Sequence, residues 1–77
     1  MKAYEIVLKY AAYGLGMRHP NREETLSLSL DREQLEEAVT SINRQFGTGL
    51  TPVVGDQVKT RSGRQIVIRE REVNFRR

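Results

Sequence analysis

The spacing of the leucines changes at Asp31, and no other stretch constrains the fold as much. Leu26, Leu28 and Leu30 recur every second residue, alternating with Thr25, Ser27 and Ser29, as on a strand with one apolar and one polar face. From Leu35 the apolar residues Leu35, Ala38, Val39, Ile42 and Phe46 follow helical spacing, one stripe that must pack on a sheet. Asp31 stands at the junction as an N-cap. Gln34 takes the third helical position of a capping box, and Leu30 and Leu35 occupy the two positions of a hydrophobic staple. Glu33, Glu36 and Glu37 gather in the first turns, Arg44 lies near the end, and Gly47 suits a left-handed C-cap. A helix is predicted over 32–46.

The flanking segments read as strands. Tyr4, Ile6, Leu8 and Tyr10 alternate with Ala3, Glu5, Val7, Lys9 and Ala11, so a first strand turns its Tyr/Ile/Leu side to the core. Residues 12–24, with two glycines and a Pro-Asn pair, are too long for a tight hairpin and read as a loop. Residues 53–60 and 64–75 read as two further strands. A three-residue connection of Arg61, Ser62 and Gly63, with Gly63 left-handed, pairs Val58 with Ile66 and keeps isoleucines beside apolar partners. Ile66 and Ile68 share a parity that Val73 and Phe75 break, which predicts a bulge or bend over residues 69–72. The fold class is α+β, in the order ββαββ: one helix on one face of a four-stranded, mainly antiparallel sheet.

Seventy-seven residues suffice for one domain over 1–77, near the lower limit for a core without staples. The absence of cysteine excludes disulfides, thiol nucleophiles and cysteine metal sites, and suits a reducing compartment. No apolar run approaches the roughly 18 residues of a membrane span, so the expectation is a cytoplasmic chain without membrane contact. Net charge is uneven: +1 over residues 1–24, −2 over 25–46 and +4 over 47–77.

Little in the chain is equipped for catalysis, and neither enzyme activity nor a cofactor is expected. His19, the one histidine, has no orienting carboxylate or nucleophile at a recognisable spacing and reads as an exposed loop residue. Glu33, Glu36 and Glu37 fall on the helix's solvent face, where they favour its N-terminus rather than a metal or an acid/base pair. Gly14-Leu15-Gly16 lacks the third glycine and the strand-to-helix setting of a dinucleotide loop.

Binding is better supported. Tyr13, Leu15 and Met17 put large apolar groups where a loop should be polar, flanked by Arg18 and Arg22, a composition that protein interfaces enrich. Phe75, off the parity of Ile66 and Ile68, would join them or form a patch for a second copy of the chain. The competing surface is basic: Lys59, Arg61, Arg64, Arg69 and Arg71, continued by Arg76 and Arg77, could follow a phosphate backbone. Phe75 is the lone aromatic among them, so a stacking platform of the kind sheet-based RNA binders use is missing.

In this ββαββ order over residues 3–75 the chain resembles small bacteriophage inhibitors of host machinery, such as anti-CRISPR proteins and phage RNA-polymerase inhibitors. The segment Pro52-Val53-Val54-Gly55-Asp56-Gln57-Val58, followed by Gly63-Arg64, is similar to a hairpin of small phage and bacterial proteins. The resemblance implies a protein or ribonucleoprotein partner, such as a CRISPR effector. It transfers no site residue.

Overall fold

A computed structural model describes the backbone of residues 1–14 and 17–73 and the side chains of residues 1–10 and 22–73. Five elements follow in the order β1 (Lys2–Gly14), β2 (Met17–Ser29), α1 (Arg32–Phe46), β3 (Gln57–Lys59) and β4 (Gln65–Glu72). The strands form one four-stranded sheet in the order β2-β1-β4-β3, every neighbouring pair antiparallel. The chain leaves β2 at one edge and enters β3 at the other, so α1 and the connection after it traverse the sheet.

The helix begins and ends where its sequence directs. Gln34 N donates to Asp31 Oδ1 at 2.8 Å, and Leu30 N donates to Gln34 Oε1 at 2.9 Å, so both side chains of the box are used. Gly47, at φ 66°, closes the other end with its N–H on the Asn43 carbonyl. Leu35, Val39 and Ile42 enter a core with Ile6 and Leu8 of β1, Ile66 and Ile68 of β4, and Leu50, while Tyr4, Tyr10, Leu26, Ala38, Phe46 and Val58 pack at its margin. Leu50 is seated by Asn43, whose Nδ2 donates to the Leu50 carbonyl at 2.9 Å and whose Oδ1 accepts from Leu50 N at 2.8 Å. Thr48 Oγ1 adds a third bond to Asn43 Oδ1. One helical side chain thereby acts as a strand-like partner for a loop that has none.

Several expectations need correction. Residues 12–14 and 17–24 are not a loop: they belong to β1 and β2, which pair as a hairpin with Tyr13 opposite Arg18 and Gly14 opposite Met17. The register slips twice, and each time the extra residue lies in β2. His19 and Pro20 together oppose Ala12, and Leu26 is inserted between the pairs Ile6↔Ser27 and Val7↔Thr25. A proline survives there because β2 is an edge strand and the bulge needs no ladder donor. His19 is accordingly a strand residue.

The second bulge also overturns the expected faces of β2. Leu26 reaches the core, but beyond it the parity inverts: Ser29 is 2% exposed, while Leu28 and Leu30 are 44% and 41% exposed. Leu30 is therefore a weak staple for the buried Leu35.

In the C-terminal third the predicted turn is present. Val58 pairs with Ile66, Gly63 has φ 83°, and Gly63 N donates to the Thr60 carbonyl at 3.0 Å. The strands are shorter than expected. β3 is three residues long, preceded by Gly55 and Asp56, whose backbone groups bond Ile68, and Val53 and Val54 are exposed. β4 ends at Glu72, and its register with β1 runs unbroken from Lys2↔Glu72 to Lys9↔Gln65, so no bulge falls in 69–72. Val73 N instead donates to the Met1 carbonyl beyond the ladder. Phe75, Arg76 and Arg77 lie outside the described residues.

Candidate interaction surfaces

Two surfaces arise from the way β1 is paired. Over its first half it lies between β2 and β4. At Lys9 the pairing with β4 stops, and residues 10–14 continue with β2 alone. The long dimension of the molecule, 43 Å, matches thirteen residues of strand at about 3.3 Å each. The hairpin therefore projects past the four-stranded body as a two-stranded arm.

Of the residues predicted for partner contact, Tyr13, Met17, Arg18 and Arg22 fall on this arm. Tyr13 opposes Arg18, Gly14 opposes Met17, and Arg22 opposes Tyr10 at the arm's base. Leu15 and Phe75 lie outside the described residues. Between Tyr10 and Arg22 the sequence contains no carboxylate and carries Arg18, His19 and Arg22. At the base, the Arg64 guanidinium carbon stands 5.0 Å from the Tyr10 ring centroid, a cation–π contact that anchors the arm to the turn before β4.

The second surface is the sheet face opposite α1, which no described element covers. Ala3 and Val7 are nevertheless fully buried, and Glu5 between them is 2% exposed. Glu5 is the centre of a knot that ties three strands. Its Oε1 accepts from Arg69 Nε at 2.8 Å, and its Oε2 accepts from Arg71 Nη1 at 3.1 Å and from Thr25 Oγ1 at 2.6 Å. Arg69 extends the knot through Nη2 to Glu23 at 3.1 Å, and Glu23 stands 3.8 Å from Lys9 Nζ. Burial alone would push the Glu5 carboxyl up. The hydrogen bonds from Thr25 and Arg69 and the charges of Arg69 and Arg71 outweigh burial and hold it below the usual glutamate value. The bonds to Glu5 and Glu23 raise the Arg69 pKa in turn.

This knot divides the predicted basic surface. Arg69 and Arg71 spend their charge on Glu5, Arg64 lies over Tyr10, and Lys59 and Arg61 remain exposed at β3 and its turn. The five residues do not form one phosphate-following row. Sequence reasoning missed Glu5, Thr25 and Glu23. The available signal was an acid between Ala3 and Val7 on a strand face, which requires cationic partners if that face is buried.

Glu33, Glu36 and Glu37 are exposed on the helix's outer face, with Arg32 Nε 3.5 Å from Glu36. No group of three His, Cys, Asp or Glu side chains among the described residues is placed to hold a metal ion. No helix among them is long and apolar enough to cross a membrane. Comparison with protein-family models, with curated proteins and with solved structures gave no significant match.

Proposed function

We propose that the chain is a non-enzymatic protein-binding module whose contact surface is the hairpin arm. The observation that carries the reading is the end of β4 pairing at Lys9. An isolated two-stranded ribbon is marginal in water, and a chain that maintains one, with Tyr10, Tyr13 and Met17 on it and no carboxylate between residues 10 and 22, supplies an interface in want of a partner. The resemblance of its ββαββ order to small phage inhibitors is the ground on which we assign that partner a class, a host protein or ribonucleoprotein complex. Nucleic-acid binding through the basic hairpin is disfavoured, because Arg69 and Arg71 already face Glu5.

The test is capture from host lysate, with and without nuclease. A double variant, Leu15→Ser with Met17→Ser, should lose the captured species while its unfolding free energy stays within about 0.5 kcal/mol of the parent's. A Lys59→Glu, Arg61→Glu variant should retain it, with little dependence on salt. Capture that disappears with nuclease, or with the charge variant and not the arm variant, refutes the reading in favour of nucleic acid.

A further inference from the structure

The second bulge of β2 holds one residue of slack that the sequence could place elsewhere. Between the pairs Val7↔Thr25 and Tyr4↔Ser29, β1 contributes two residues, Glu5 and Ile6, and β2 contributes three, the surplus being Leu26. The surplus has a visible cost. It turns Ser29 into the core and leaves Leu28, opposite Glu5 on the uncovered face, and Leu30 exposed. Without the bulge the same strand would pair Ile6 with Leu26, Glu5 with Ser27 and Tyr4 with Leu28. Leu26 and Leu28 would then both face the core, Ser27 would stand beside Glu5 with a hydroxyl to donate, and Ser29 would leave the interior. The surplus residue would pass into the connection before Asp31, so neither Thr25, which bonds Glu5, nor the cap of α1 would need to move. No strand on the far side resists the slip, because β2 is an edge of the sheet and pairs with β1 alone.

We propose that residues 26–30 are a two-register switch, in which the bulged register of the structure exchanges with an unbulged one that puts Leu28 in the place of Ser29 beside Tyr4. A strand whose pattern fits two pairings is the kind that slips, and Leu26-Ser27-Leu28-Ser29-Leu30 fits both. The bulged register prevails because Ser29 is smaller than Leu28, and the site beside Tyr4 must open to admit the larger side chain. The unbulged register is then a minor state, populated at roughly 0.1–10%. What the exchange alters is the uncovered face next to the Glu5 knot. Opposite Glu5 that face carries Leu28 in one register and Ser27 in the other, so a ligand that distinguishes leucine from serine there selects the register. The switch uses no residue of the projecting arm.

The chain contains no cysteine, so engineered pairs read the register directly. Tyr4→Cys with Ser29→Cys reports the bulged register, and Tyr4→Cys with Leu28→Cys the unbulged one, in which alone those two positions share a face. Lys9→Cys with Leu28→Cys, brought together in neither register, reports closure through global unfolding. In native buffer the Tyr4/Ser29 pair should oxidise fastest, and the Tyr4/Leu28 pair about tenfold or more faster than the Lys9/Leu28 pair. Far-UV circular dichroism verifies that the Tyr4→Cys variants keep the fold, and NMR relaxation dispersion on the parent decides the question without touching Tyr4. A minor state should be confined to residues 26–30 and the β1 residues that face them. Leu28→Ser, which removes the side chain that the unbulged register buries, should lower its population about tenfold. A Tyr4/Leu28 pair that closes no faster than the Lys9/Leu28 pair, parent spectra without a minor state in this segment, or a minor state that Leu28→Ser leaves unchanged overturns the proposal.

Discussion

Replacing Glu5 with Gln keeps the side chain's volume and removes its charge, and the cost can be worked from the knot around it. Removing one partner of a buried ion pair costs about 3–5 kcal/mol when the remaining charge stays buried. Here the side chains of Arg69 and Arg71 are 44% and 56% exposed, so water recovers part of their solvation once Glu5 is neutral. The Gln amide oxygen also keeps at least one of the bonds that Arg69, Arg71 and Thr25 now donate. With both discounts Glu5→Gln should lose about 2 kcal/mol at neutral pH. For a chain this small that is a lowering of Tm by roughly 8–16 °C. The pH dependence identifies the cause. A carboxylate held below its ordinary pKa contributes fully above the unfolded value of about 4.3, and the contribution is lost as pH falls through the folded value. The Gln side chain does not titrate, so the gap between parent and variant should be widest near neutrality and close as pH falls below about 4. Urea denaturation followed by circular dichroism at a series of pH values measures this. Equal midpoints at neutral pH, or a gap that persists undiminished in acid, would refute the assignment of Glu5 as an ionised tie between β1, β2 and β4.

Two further substitutions probe the ends of the helix. Asp31→Ala removes the acceptor for Gln34 N and should cost about 1 kcal/mol by chemical denaturation, with equal midpoints showing that the cap contributes nothing. Asn43→Ala leaves the Leu50 N–H and carbonyl without their partner and should cost about 2–3 kcal/mol; hydrogen exchange at the Leu50 amide should accelerate by more than exchange at Ile66, and equal acceleration at both would argue against a local role.

What the sequence made legible was local. The cap at Asp31, the helix to Phe46, the left-handed Gly47 and Gly63 and the pairing of Val58 with Ile66 all follow from spacings of a few residues, where one chemical cause dominates. The faces of Leu28 and Leu30 did not follow, because alternation is blind to an inserted residue: Leu26 shifts the register and sends Ser29 inward. The arm was hidden for a related reason. Gly14 and Pro20 carry the signature of a loop, and an edge strand with a bulge is the setting in which a ladder tolerates them. The knot on the uncovered face needed the register between β1 and β4, which places Glu5 directly across from Arg69, sixty-four positions away, and no short-range pattern encodes that.

That same register sets the order in which the chain can fold. The hairpin of β1 and β2, the helix and the turn at Gly63 join residues close in sequence, whereas the ladder at the centre of the sheet joins Lys2–Lys9 to Gln65–Glu72 and must close a loop of most of the chain. Until β4 has been synthesised and docked, β1 presents Ile6, Leu8 and an unpaired backbone edge to its surroundings, with the carboxylate of Glu5 lacking both arginines. The nascent protein thus passes through a stage that is sticky on the side where the finished sheet is most tightly held, and its yield in a cell should depend on how quickly the C-terminal strand becomes available relative to collisions with other chains.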